Sequence, residues 1–464
     1  TVAFNNGDAF RGGTIGPEVN VDANGDPLFV RIQHDRISRD RPSLSVGYVR
    51  SSDSRSVLNA KGKFQLNRFR QNYFADRIEA NAPDFREEIR AKENEWNFEG
   101  SADYEFALAG GRLKLTGFHY YEHSPTRNEF GEIFEDDRPD SLSRFNRVAN
   151  EGETVLRGEY KWTGGRNEWQ ISLEGAKNFL DAESVLFATD DTGDLNEIPL
   201  PNATSRVEEK RAQFNVSYNR PLSSRLTLQA LVGGEYSRLS QTGANGLVRS
   251  FWRPKGFATL SWKASDRFDA SLKLQRKVGQ LTFFDFLASV DLRDGNDNAG
   301  NPELVPPQSW VGELELNRSL GASGSVKLKL LHESLTDIVD RVPIGLDGEA
   351  PGNLPGSARR SRAELNATFL LDKLGWKGAK VDISGNAEHS RLTDPLLGNR
   401  RPFGNGLRYE YSVDLRHDIP GSKIAWGANI NDFRFSDFVR LDFLSRFYGT
   451  KPQTVVFVQH KNIG

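Results

Sequence analysis

The chain has 464 residues, with 61 Lys and Arg against 63 Asp and Glu, a net charge of −2, 37% hydrophobic residues and no cysteine. A nucleic-acid surface needs a basic excess, which this balance excludes, and zero cysteines lean towards an exported protein without disulfides. No stretch approaches 18 consecutive apolar residues, so no transmembrane helix is encoded. The remaining way to cross a membrane is a closed β-barrel, whose strands are apolar on one face only.

The first residues, TVAFNNGDAF, have neither the basic nor the apolar region of a signal peptide, and no methionine occurs. The last residues, VVFVQHKNIG, end in mid-strand. The chain therefore reads as a piece of a longer protein, with 1–40 a segment leading into a partial barrel over 41–464. About seventeen strands are predicted: 43–50, 60–69, 95–106, 112–121, 153–162, 168–177, 208–218, 225–236, 255–262, 268–276, 309–318, 325–333, 362–371, 380–389, 408–417, 423–431 and 454–461. Another could start near Pro27–Gln33.

The signal in each is alternation. In EWNFEGSADYEFAL, Trp96, Phe98, Gly100, Ala102, Tyr104 and Phe106 alternate with Asn97, Glu99, Ser101, Asp103 and Glu105. Successive strand side chains point to opposite faces, so one face is apolar and the other strongly polar. RAELNATFLL, KVDISGNAEH, EYSVDLRH and KIAWGANI repeat the pattern.

The connections alternate too. Short turns (ALAGGR, TGGRN, RPLSS, KASDR, LGASGS, DIPGS) exchange with long segments near 122–152, 178–205, 237–253, 277–308, 333–361, 389–407 and 431–453. Tight on one side and long on the other is the pattern of an outer-membrane barrel. A soluble sheet with one wet face would show the alternation of residues but not this exchange of turns and loops.

Trp162, Trp169, Trp262, Phe106 and Phe268 sit beside short turns, where rings collect at a lipid–water boundary or border a hairpin in any sheet. The polar faces carry Lys327, Lys329, Glu313, Glu315, Glu410, Asp414, Arg416, Lys380 and Asp382. A dry interior would leave so many charges unsolvated; a wet or plugged lumen holds them. GELELN and VKLKLL, facing across one short turn, form a complementary pair.

NPELVPPQSWVGELEL (Asn301–Leu316) resembles the barrel motif of TonB-dependent outer-membrane receptors, a loop end of the form Asn-Pro-x-Leu-x-Pro-Glu leading into a strand. Asn301, Pro302, Glu303, Leu304 and Pro306 match it, whereas Gln308 and Pro307 depart from it. Phe251–Ser289 is also similar to these receptors, as strand, short turn, strand and an aromatic-rich loop opening at Leu281–Leu287. The resemblance implies an all-β transmembrane antiparallel barrel of the 22-stranded type with a plugged lumen, of which about 17–18 strands are present. It further implies a non-enzymatic importer of a scarce solute (siderophore, haem, vitamin or oligosaccharide) in the outer membrane of a Gram-negative bacterium. Its partners would be outer-membrane lipid and lipopolysaccharide, a TonB-type energy-coupling protein acting through an N-terminal part, and the small solute. A passive porin-like barrel and a secreted β-rich glycan-binding protein remain as alternatives.

No catalytic constellation, cofactor motif or metal-ligand spacing emerges. His119 and His123 stand four apart, which suits a helical site and not a strand end. TDDTGDLNE (189–197) and DLRDGNDNAGN (291–301) lack the calcium-loop spacing. Loop residues Phe283, Phe284, Phe286, Arg400, Arg401 and Phe403, with the aromatics of 433–438, are the candidates for ligand contact.

Overall fold

Alternating strands leave every backbone donor and acceptor to be met by a neighbour, and in this chain the neighbour is almost always the next strand. The structure, a computed structural model, describes residues 2–5, 9–21, 26–52, 56–200, 203–242, 246–287, 289–293, 296–298, 300–344, 348–404, 406–439, 444–445 and 452–460. Its principal sheet has 23 strands. Two of these are short loop strands, Leu195–Ile198 and Arg400–Arg401. Val2–Asn5, Phe10–Gly12 and Ile15–Val21 follow one line, and Pro27–Asp40 and Ser43–Ser52 follow another. Among the described residues the sheet thus amounts to eighteen antiparallel staves, the number expected, but the strand that could start near Pro27–Gln33 belongs to the stave expected at 43–50, and the eighteenth is formed by the first three strands.

The second stave is interrupted only at Arg41–Pro42, where proline cannot donate. Its register against Ser56–Glu79 is the same on both sides of the break: Asp40 faces Arg68 and Ser43 faces Gln65. Within the segment read as a lead-in, Val2–Asn5, Phe10–Gly12, Ile15–Val21 and Pro27–Asp40 are hydrogen-bonded into this sheet. Their alternation is masked by charges such as Arg36 and Asp40 on the outer face.

Most staves are longer than expected. Ser56–Glu79, Phe85–Leu108, Gly111–Phe134 and Ser141–Gly164 each have 24 residues. The segments read as loops at 122–152, 178–205 and 237–253 are largely strand, closing in compact turns such as 135–140. The segment 70–94 is a hairpin that the sequence reading omitted. Among the described residues, 279–307, 337–356 and 394–406 depart from the stave pattern for long.

Register sorts the faces. Outward lie Leu115, Leu156, Leu173, Val232, Leu272 and Val458, with Leu156 68% and Val232 71% exposed. A band of large apolar side chains left uncovered this way suits lipid and not water. At its short-turn rim Tyr160, Trp162, Trp169 and Tyr218 form a column with ring centroids 5.5, 6.3 and 4.5 Å apart. At the other rim Phe64, Trp96, Tyr121, His123 and Phe179 pack together. There Gly152 leaves room for the Phe179 ring, which a Cβ would meet at 2.3 Å. From Leu113 to His123 the band runs about 33 Å along the strand, or about 25 Å in height at a tilt of about 40°.

The inner face carries the charges expected of it. Trp310, Leu314 and Leu316 point out, while Val311, Glu313, Glu315 and Asn317 point in. The GELELN and VKLKLL strands do pair, but diagonally. Lys329 lies opposite Glu315 and binds Glu313 at 3.1 Å, and Lys327 binds Glu315 at 3.0 Å.

Candidate functional site

At the long-loop end the chain folds back into the mouth. Phe268–Val278 and Gln308–Ser319 have 11 and 12 residues, and between them 279–307 turns inward. The Gly279 N–H donates to the Pro307 carbonyl (2.7 Å) and closes the base. Beside it Gln308 accepts from Arg276 Nη2 (2.6 Å) and donates to Asp337 Oδ2 (3.1 Å).

The segment 289–298 and the hairpin Val339–Ile344/Gly348–Asn353 join into a four-stranded sheet separate from the staves. Three anchors hold it. The first is apolar. Phe286 is fully buried, in a cluster with Ala149, Leu180, Val207, Leu239 and Leu304 on and against the inner wall. Gln241 Nε2 donates to the Phe286 carbonyl at 2.9 Å, and Arg147 lies 4.6 Å from the centre of the Phe284 ring.

The second anchor is the Asn301–Pro306 motif. The Asn301 N–H donates to the Asp285 carbonyl (2.8 Å), and its side chain donates to the Pro351 carbonyl (2.9 Å) and accepts from the Glu303 N–H (2.8 Å). Asn353 answers from the hairpin: its Oδ1 accepts from the Val305 N–H (2.8 Å), and its Nδ2 donates to the carbonyls of Val305 (2.9 Å) and Asp337 (2.7 Å). Arg249 donates to the Glu303 carbonyl, while Leu304 and Pro306 are buried. Gly300 has φ +66°, and a Cβ there would lie 2.6 Å from the Phe286 carbonyl oxygen, so glycine is needed.

The third anchor is ionic and lies on the first staves of the sheet. Arg293 Nη2 reaches both oxygens of Glu18 at 2.7 and 2.9 Å. Glu18 also meets Arg31 (3.3 Å), which binds the fully buried Glu87 (2.8 Å); Arg77 meets Glu87 (3.0 Å) and Glu79 (2.5 Å). Three guanidinium groups of the wall and loop are thus matched by three carboxylates, the condition under which buried charges are tolerated. Burial holds the Asp285 carboxyl above its ordinary value, with Arg341 opposing.

A second loop cluster joins Leu354, Ala358 and Leu392 with Phe403. Arg401 binds Asp394 (2.7 Å) and Asp340 (2.9 Å), tying that cluster to the hairpin. Burial pushes the Asp394 carboxyl up, but the N–H of Leu397, the Arg401 guanidinium and the N–H of Leu396 outweigh it and hold the group low. Lower on the inner wall a recess of about 530 Å³ is lined by Glu364, Asn366, Asn386, Glu410, Asn431 and Phe433. Asn386 Oδ1 has no partner there among the described residues.

Of the six residues singled out in the sequence for ligand contact, Phe286, Arg401 and Phe403 are thus engaged in packing or ion pairs. Phe283 and Phe284 are half-buried and Arg400 is exposed. Phe433 and Phe435 pack 5.7 Å apart, and the side chain of Phe438 lies outside the described residues. Sequence reasoning missed Asn353 and Arg293, whose partners lie 48 and 275 residues away. His119 and His123 face outward, hydrogen-bonded to Thr154 and Asn150. The 189–197 loop satisfies itself, Asp190 accepting from Thr192, Asp194 and Asn196. The 291–301 loop lies partly outside the described residues.

Solved structures give the architecture its place. The copper transporter OprC matches with a TM-score of 0.59 at 13% identity over 98% of this chain and 70% of its own. The siderophore receptor PiuA from Acinetobacter baumannii matches at 0.56 and 9% identity, over 100% and 75%. The fold is that of the outer-membrane receptor barrels. The ferric yersiniabactin uptake receptor FyuA from Yersinia pestis shares this receptor-barrel fold, at 0.52 and 13% identity over 97% and 66%. No protein-family model matches the sequence, and no curated protein sequence does. The chain spans about two thirds to three quarters of the length of these barrels.

Proposed function

We propose that the chain is the barrel part of an outer-membrane receptor that imports a scarce solute, driven by a TonB-type inner-membrane motor. The observation that carries this reading is the sheet at the mouth, anchored to separate staves above a polar inner surface. A loosely held loop would suit a passive pore; a latched sheet suits a gate that must be released to admit a bound solute. The recess lined by Glu364, Asn366, Asn386, Glu410 and Asn431 offers carboxylates and amides to a hydrogen-bonding solute such as a siderophore, haem, a vitamin or an oligosaccharide. Arg400 and the free edges of Phe283 and Phe284 make first contact, while Phe286, Arg401 and Phe403 hold the loops that present them.

The test is uptake by cells carrying the complete gene, using radiolabelled ferric siderophores, haem, cobalamin and oligosaccharides, with and without an uncoupler. Uptake of one class that stops with the uncoupler is expected. Uptake that persists unchanged would replace the coupled importer by a passive barrel. Recovery of the protein from the medium instead of the detergent-extracted outer membrane would favour a secreted glycan-binding protein.

A further inference from the structure

On two neighbouring staves, Val248–Ser265 and Phe268–Val278, the charges on the inner face are nearly all of one sign. Trp252, Leu260, Leu272 and Leu274 are exposed on the outside, so the odd-numbered residues of both strands face the lumen. Register agrees, since Ser271 lies opposite Glu315 and Lys273 opposite Glu313. These inward positions carry Arg249, Arg253, Lys255, Lys263, Lys273 and Lys277 against one carboxylate, Asp269. Lys273 stands opposite Thr259, in the gap between Lys255 and Lys263. From Arg249, which touches the mouth loop at the Glu303 carbonyl, to Lys263 beside a short turn, the stripe runs about 46 Å along the strand.

The carboxylates near the stripe are already held by other cations. Glu235, opposite Arg253, binds Lys255 at 2.8 Å. Glu313, opposite Lys273, binds Lys329 at 3.1 Å. Glu333, which senses the charge of Lys277, binds Arg360 at 2.5 Å. The side chains of Arg253, Lys273 and Lys277 make no ion pair and no hydrogen bond among the described residues. Rings position them instead. Arg249 and Arg253 lie 5.4 and 5.3 Å from the centre of Phe251, and Lys273 Nζ lies 4.9 Å from that of Phe257. Arg253 Nε is sealed from solvent without a partner. A partly buried cation left unbalanced is destabilising, and a wall of one sign concentrates its field on the space in front of it. Pores that select anions are lined by Arg and Lys in this way.

We propose that this stripe is the track along which the imported solute crosses the barrel, and that the solute is a multiply charged anion carrying carboxylate or phosphate groups. Guanidinium and ammonium groups two residues apart hand such an anion from one cation to the next, each step about 6.6 Å. The inference rests on the importer reading given above. It adds the charge class of the solute and the wall that conducts it, and it sets neutral oligosaccharides aside.

The complete protein, purified in detergent, is tested by equilibrium dialysis with radiolabelled citrate and tripolyphosphate, and with maltotriose and spermidine as neutral and cationic probes. At least one trianion is expected to bind, more weakly as salt rises, and the neutral and cationic probes are not. Which trianion binds tells carboxylate from phosphate. At roughly tenfold for each charge-assisted hydrogen bond lost, the triple variant Arg253→Gln, Lys273→Gln, Lys277→Gln should bind it about a thousandfold more weakly. The charge-keeping variant Arg253→Lys, Lys273→Arg, Lys277→Arg should retain binding. Removing as many cations from the outer face, by Arg68→Gln, Arg70→Gln and Lys92→Gln, should leave it unchanged. None of the three inward side chains holds another group, so the heat-modifiable gel shift of a folded barrel is expected throughout. Binding of neither trianion, equal binding of maltotriose or spermidine, or an equal loss in the inner and outer triple variants overturns the proposal. Dialysis in detergent reports on the stripe whether or not cells take the anion up, so intact anion binding without uncoupler-sensitive uptake would count against the importer reading instead.

Discussion

Replacing Phe286 by alanine tests whether the sheet across the mouth is latched or merely resting there. The ring is fully buried among Leu180, Val207, Leu239 and Leu304, and Phe→Ala at such a site costs about 3–5 kcal/mol. The cost falls on the loop and not on the barrel, because the staves keep all their ladder hydrogen bonds. At about 1.4 kcal/mol per decade, local opening of the loop should become roughly a hundred to a few thousand times more frequent. Hydrogen exchange reads this directly. The amides of Asn301 and Val305, bonded to the Asp285 carbonyl and to Asn353, should exchange faster by that factor, while amides in Ser141–Gly164 and Asn167–Thr189 keep their wild-type rates. Unchanged exchange at Asn301, or equal acceleration in the loop and those strands, would refute the idea of an independent latch.

Asn353→Ala removes the partner of Val305 and a donor to Asp337, and should weaken the same loop by about 2–4 kcal/mol, seen as proteolytic nicking within 279–307 at protease levels that spare the wild type. Because burial raises the Asp285 carboxyl, its ionisation works against the folded loop as pH rises past the ordinary carboxylate value. Asp285→Asn should therefore protect the loop from exchange better than wild type at about pH 8 and equally at about pH 3. Asp394 behaves in the opposite sense: its lowered carboxyl contributes stability above about pH 4 that is lost as pH falls further. Exchange at the amides of Leu396 and Leu397, which donate to it, should accelerate below that pH. Trp162, Trp169 and Trp262 should be quenched by lipids brominated near the headgroup and poorly by acrylamide; the reverse order would argue against immersion of the belt.

How far the sequence was legible depended on contrast between the two faces of a strand. Where Leu314 and Leu316 met lipid and Glu313 and Glu315 met the lumen, alternation gave strand, register and orientation together. Above the rim the outer face turns polar, as Arg127, Glu129 and Arg144 show, and both faces then look alike in the sequence. The 24-residue staves were therefore read as short strands with long loops. The small sheet at the mouth was hidden for a different reason. Asn301 carried a recognisable motif, but the motif acts through Asn353 and through Phe286 packing, and neither long-range partner leaves a periodic trace.

The length of the staves has a mechanical consequence. On Gly111–Phe134 the chain beyond His123 adds eleven residues of paired strand, lifting the rim about 28 Å clear of the lipid boundary at the tilt used above. That height is built from hydrogen-bonded rungs, which resist bending, instead of flexible connections. The tall wall stands on one side only, because Phe268–Val278 and Gln308–Ser319 have 11 and 12 residues, so anything approaching the sheet at the mouth meets a stiff flank on one side and the loops themselves on the other.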